Sequence, residues 1–117
     1  MNYHFVWSPK YRRKILTGGL AERLEQLTYE KAQQLECRII QLRIMPDHVH
    51  LFIEGNPRLS PNRILGEIKG YTSRVLRREF PELLKMPTLW TRSYFVSTAG
   101  NVSSQVIEQY IESQKRR

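Results

Sequence analysis

One cysteine is the whole of this chain's thiol chemistry, Cys37 among 117 residues. An intramolecular disulfide is thereby excluded, as is any cysteine-rich zinc site. Long apolar runs are missing too, none approaching the roughly 20 residues of a membrane-spanning helix. Nor is an apolar leader visible, since Met1–Phe5 passes almost at once into the basic Lys10–Lys14. These absences lead to the expectation of a reduced, cytoplasmic protein with no membrane partner. Acidic residues are scarce, 11 against 19 Lys and Arg, leaving a net charge of +8. That excess points to a polyanionic partner, with a solvated basic surface as the alternative. Histidine is rarer still, with His4, His48 and His50 the only three.

What is present suffices for a core. The chain is 40% hydrophobic and carries two Trp, six Tyr and four Phe, so it folds rather than staying disordered. Its length fits a single domain, taken as residues 1–117. Asn2 to Ser8 is rich in aromatic and β-branched residues and reads as a strand, stopped by Pro9. Lys10-Tyr11-Arg12-Arg13-Lys14 follows as a basic loop. From Leu20 to Leu35 the apolar positions Leu20, Leu24, Leu27, Ala32 and Leu35 keep helical spacing. Cys37 to Ile44 alternates, with Ile40, Leu42 and Ile44 facing one way and Ile39, Gln41 and Arg43 the other.

Pro46-Asp47 reads as a tight turn into the strand His48-Val49-His50-Leu51-Phe52-Ile53. Strand side chains alternate between faces, so His48, His50 and Phe52 share one face and Val49, Leu51 and Ile53 the other. Two imidazoles so placed can converge on one divalent metal, but two ligands are too few for a site. Ser60-Pro61 starts a second helix that Pro81 stops near Glu79, with a stripe of Ile64, Leu65, Ile68, Tyr71, Val75 and Leu76. Leu89 to Thr98 reads as a fourth strand. Residues 98–104 read as a hinge, and 105–117 return to helical spacing.

The order β-α-β-β-α-β is an α+β, ferredoxin-like arrangement: a four-stranded antiparallel sheet with helices on one face, plus a C-terminal helix. Strands one and three are central neighbours there, which sets His4 beside His48 and His50. The histidine face is the one left open. On the last helix Tyr110 and Gln114 lie four apart and point the same way. A glutamine carbonyl is a hard oxygen ligand suited to Mg²⁺ or Mn²⁺, and a tyrosine hydroxyl is a potential nucleophile.

Pro46-Asp47-His48-Val49-His50-Leu51 resembles the histidine–hydrophobic–histidine (HUH) motif, and Tyr110-x-x-x-Gln114 resembles the catalytic helix of the single-tyrosine HUH transposases. These are the small TnpA-type enzymes that move insertion sequences as single-stranded DNA. Phe5-Val6-Trp7-Ser8-Pro9-Lys10-Tyr11-Arg12-Arg13, Ile68-Lys69-Gly70-Tyr71-Thr72-Ser73-Arg74 and Leu89-Trp90-Thr91-Arg92-Ser93-Tyr94-Phe95 extend the likeness over essentially the whole chain. It implies a transposase that cleaves and rejoins single-stranded DNA at element ends. His48, His50 and Gln114 would hold Mg²⁺ or Mn²⁺, and Tyr110 would form a 5′-phosphotyrosine. It also implies a hairpin-bearing DNA partner and a homodimer with active sites shared between subunits.

Lys10, Arg12, Arg13, Lys69, Arg74, Arg77, Arg78 and Arg92 are candidate phosphate contacts, with Tyr11 or Trp90 to stack on bases. Asp47 reads as a turn residue first and a support for the metal ligands second. His4 reads as a supporting or packing residue rather than a ligand. Other readings stay open. One is a domesticated nickase acting on hairpin repeats; another is a replication initiator of the HUH group. From a different class comes a non-catalytic nucleic-acid-binding module, because RNA recognition domains share this plan.

Overall fold

The local signals in the sequence lead to six regular elements, seen in a computed structural model that describes residues 1–98 and Glu112. Apart from Thr98 and Glu112, the expected hinge at 98–104 and helix at 105–117 lie outside the described residues, and Tyr110 and Gln114 with them. In chain order the elements are β1 (Asn2–Trp7), α1 (Gly18–Gln34), β2 (Arg38–Met45), β3 (His48–Glu54), α2 (Pro61–Glu79) and β4 (Phe95–Ser97). The strands form one sheet in the order β2-β3-β1-β4, antiparallel at every seam. This is the expected ferredoxin-like α+β plan, with β1 and β3 side by side at the centre.

Burial follows the strand alternation. Val49, Leu51 and Ile53 of β3 are fully buried, while His48, His50 and Phe52 between them are half-buried on the other face. Phe5 and Trp7 of β1 join the buried set, and α1 and α2 close over it with Leu24, Leu27, Ile64, Leu65, Ile68 and Leu76. Trp90 then packs edge-on against Trp7, ring centres 5.9 Å apart. Its indole N–H donates to the Thr72 hydroxyl at 3.1 Å. Trp90 is thus a core residue, only 6% exposed, and not the base-stacking platform expected. Thr72 takes a place on the buried stripe of α2 that hydrophobicity alone does not mark.

The helix ends match their sequence signals. The Ser60 hydroxyl accepts from the Arg63 amide at 3.1 Å, with Pro61 in the first turn. At the other end Phe80 caps α2 and Pro81 begins a separate 3-10 turn, Pro81–Lys85.

Two strands differ from their expected form. In β2 the register slips between Ile39 and Gln41, placing Ile40 in a bulge. Ile39 therefore packs against the core with Leu42 and Ile44, whereas Ile40 is 42% exposed, reversing the facing expected for those two isoleucines. The fourth strand is three residues long rather than spanning Leu89–Thr98. Leu89 and Trp90 are both buried, which breaks alternation, and Trp90 meets β1's extension only in an isolated bridge to Pro9. Two backbone bonds flank that bridge, from the Lys10 N–H to the Leu89 carbonyl at 2.9 Å and from the Thr91 N–H to the Ser8 carbonyl at 3.0 Å.

Candidate active site on the open face of the sheet

β3 delivers His48 and His50 to one face because they stand two residues apart on a regular strand. Their ring centres lie 4.9 Å apart at 73°. Rings this close can share an ion bound about 2.1 Å from each nitrogen. β1 adds His4, which pairs with Phe52 in register and so lies diagonal to His50. His4 Nε2 is 3.3 Å from His50 Nδ1, and the rings stack with centres 5.5 Å apart. Phe52 flanks His4 at 5.9 Å.

The turn residue Asp47 is buried, and it does more than turn the chain. Its Oδ1 lies 2.7 Å from His48 Nδ1, and its Oδ2 accepts from Arg12 Nε at 2.6 Å. Burial pushes the Asp47 carboxyl up, but hydrogen bonds and charge from His48 and Arg12 outweigh it and hold the group below the usual carboxylate range. An ionised carboxylate can only accept, so the proton of this bond sits on His48 Nδ1. In the neutral ring Nε2 is then left with a free lone pair, the form a metal ligand needs.

Burial is also the main reason that the His50 pKa falls to about 4, with help from the positive fields of His48, His4 and Arg43. Burial lowers His4 as well. His50 and His4 are thus held in the neutral form. Among the described residues no group of three or more His, Cys, Asp or Glu could hold a metal, so the His48 and His50 nitrogens need a third protein ligand from elsewhere. Imidazoles alone favour the later transition metals, and an amide oxygen shifts such a set toward Mg²⁺ or Mn²⁺. The residues present fit a divalent ion on those terms.

Arg12 was expected on DNA, but its side chain is only 16% exposed and is turned to Asp47. The cause lies in the backbone. Lys10–Arg12 forms a 3-10 turn in which Tyr11 (φ 59) and Arg12 (φ 51) are both left-handed. For residues with a Cβ this costs about 1–2 kcal/mol each. A second guanidinium nitrogen of Arg12 lies 3.5 Å from Glu112 Oε2. No pattern in the sequence marks the Arg12–Asp47 pair; the one available hint is an aspartate immediately before His48.

The other basic candidates divide by exposure. Arg13, Arg74, Arg78 and Arg92 are exposed, as is Tyr11. Lys10 is half-buried, 5.3 Å over the Tyr11 ring. Lys69 is turned inward, donating to the Thr91 carbonyl at 2.6 Å beside the Tyr94 ring, and burial lowers its pKa to about 8. Arg77 donates to the Met86 carbonyl at 2.9 Å.

An antiparallel sheet with helices on one face and paired histidines on the other, in a strongly basic chain, has the layout of the HUH enzymes that process nucleic acid. The chain belongs to the IS200-like transposases, whose family model matches residues 1–114. It is 32% identical over 117 residues to the ISDra2 transposase TnpA of Deinococcus radiodurans, covering 97% of this chain and 84% of that one. To the transposase of insertion sequence IS200 from Salmonella typhimurium it is 30% identical over 115 residues, or 96% of this chain and 75% of the relative. A crystal structure from Deinococcus radiodurans R1 assigned to a transposase superposes with a TM-score of 0.90 at 33% identity, covering 97% of this chain and 90% of that one. A REP-associated tyrosine transposase bound to a REP hairpin shares the fold, with a TM-score of 0.61 at 14% identity over 95% of this chain and 62% of its own.

Proposed function

We propose that this transposase cuts and rejoins single-stranded DNA at insertion-sequence ends through a tyrosine-linked intermediate. The observation that carries the reading is the Asp47–His48 hydrogen bond beside His50 on the open face, which leaves a ligand nitrogen pointing away from its support. His48, His50 and Gln114 would hold Mg²⁺ or Mn²⁺. Bound there, a divalent cation supplies Lewis acidity that offsets negative charge building on the phosphate oxygens.

The chain's own groups do the rest. Tyr110 Oη attacks the scissile phosphorus, the bond to the 3′ oxygen breaks, and the phenolic proton passes in net to that departing oxygen. The products are a 5′-phosphotyrosine and a free 3′-hydroxyl. In the return step a 3′-hydroxyl attacks the same phosphorus and releases Tyr110. One phosphodiester replaces another, so rejoining needs no ATP. His4 Nε2 stands 3.3 Å from His50 Nδ1, and with the proton on Nδ1, His50 donates to His4 and keeps Nε2 as the ligand atom. The exposed Arg13, Arg74 and Arg92 supply phosphate contacts.

Single-stranded oligonucleotides carrying the element ends with their hairpins test this reading. With Mg²⁺ or Mn²⁺, the protein should cleave them and join the product to a second end without ATP. Tight hairpin binding with no cleavage in either metal would instead indicate a binding module. Assembly has its own test. As a homodimer with shared sites, a His48→Ala/His50→Ala chain mixed with a Tyr110→Phe chain should recover cleavage. Demonstrated subunit exchange without recovery would count against shared sites.

A further inference from the structure

Arg12 makes contacts that a DNA-binding arginine would not need. Its Nε reaches Asp47 Oδ2 at 2.6 Å, and Asp47 Oδ1 in turn meets His48 Nδ1 at 2.7 Å. The three side chains are 16%, 11% and 15% exposed, so the chain of bonds is shielded from water. Two adjacent non-glycine residues, Tyr11 and Arg12, hold left-handed backbone angles in the turn that carries the guanidinium. Its NH1 then lies 3.5 Å from Glu112 Oε2, and Glu112 stands two positions from Tyr110 and two from Gln114.

We propose that Arg12 is a positioning residue of the active site. It fixes the Asp47 carboxylate so that Asp47 holds His48 in the Nδ1–H tautomer. This rests on the metal-dependent reading above and deepens it. The chemistry is that of an outer-shell network. A carboxylate shared between a guanidinium and an imidazole cannot rotate without breaking two charge-assisted bonds, so the ring stays aimed. With the guanidinium gone, Asp47 is free to turn, and His48 then samples both tautomers and other ring orientations.

The test begins with metal-free protein, where long-range ¹H–¹⁵N NMR reads the His48 tautomer directly. Wild type should give a single Nδ1–H form. Arg12→Met should give a mixture, and should weaken Mn²⁺ binding measured by calorimetry by about 10–100-fold. Arg12→Lys, which keeps one charged contact, should fall between and serves if Arg12→Met does not fold. Glu112→Gln should leave both readouts unchanged, because the Asp47 contact persists. An unaltered tautomer in Arg12→Met, or a Glu112→Gln effect as large as that of Arg12→Met, overturns the proposed route. Loss of DNA affinity with tautomer and Mn²⁺ binding intact would make Arg12 a phosphate contact and overturn it too. Should wild type bind no Mn²⁺, the metal reading fails, while the tautomer measurement still decides the role of Arg12.

Discussion

Replacing Tyr110 with Phe should remove the covalent protein–DNA adduct altogether, while the far-ultraviolet spectrum and hairpin binding stay as in wild type. This is the largest effect we expect, because in the proposed mechanism the phenolic oxygen forms the new bond and phenylalanine has none. Six tyrosines compete for the role. Tyr3 is buried against Phe5. Tyr71 packs between the Lys31 and Arg74 cations, and the Tyr94 hydroxyl donates to Asn62 at 2.7 Å. Tyr29 is exposed on α1, the helix layer that covers the face of the sheet opposite the histidines. Tyr11 is the serious rival, exposed and next to Arg12. Peptide mapping of a denaturant-resistant adduct separates the two. DNA on Tyr11, or an adduct that survives Tyr110→Phe, would overturn the assignment.

Removing the imidazoles should divide chemistry from binding. In His48→Ala or His50→Ala we expect cleavage in Mg²⁺ or Mn²⁺ to fall by about a thousandfold or more, the scale of several kcal/mol of Lewis-acid stabilisation. Hairpin affinity should change little and should keep its steep decline with salt, since it rests on exposed basic side chains. His50→Ala cleaving at the wild-type rate would end the metal assignment. The metal-free protein adds a pH signature. The His50 pKa is lowered from 6.5 to about 4 on folding, so between those values the unfolded chain holds a proton that the folded one does not. Its contribution to stability is therefore undiminished above pH 6.5, declines as the pH falls toward 4, and levels off below. His50→Ala should flatten that part of an acid-denaturation profile.

Much of this architecture is legible in the sequence because it is local. Alternation on either side of Pro46-Asp47 yields the hairpin and the histidine face, and Ser60-Pro61 marks the start of α2 within one residue. Prediction stops where tertiary contacts decide. Ile39 and Ile40 are both good strand residues, and only the bulge opposite β3 determines which turns inward. Trp90 has the composition of a base-stacking platform, yet Trp7 and Thr72 recruit it to the core. Arg12 has the composition of a phosphate contact, but a left-handed turn directs it to a carboxylate 35 positions away. Charge counts cannot foresee a guanidinium spent inside the protein.

The seams of the sheet are unequal. β1 and β3 share six residue pairs, whereas β1 and β4 share three. β2 and β3 share seven. Opening fluctuations follow the number of bonds that must break together, so β4 is the first strand to part from the sheet. Amide protons on β4 should therefore exchange with solvent far sooner than those of the strand pair bearing His4, His48 and His50. Of the sheet's strands, β4 is also the closest in sequence to Tyr110. The weakest seam is thus the one nearest in sequence to the proposed nucleophile, whereas the histidines stand on the strands that keep their register longest.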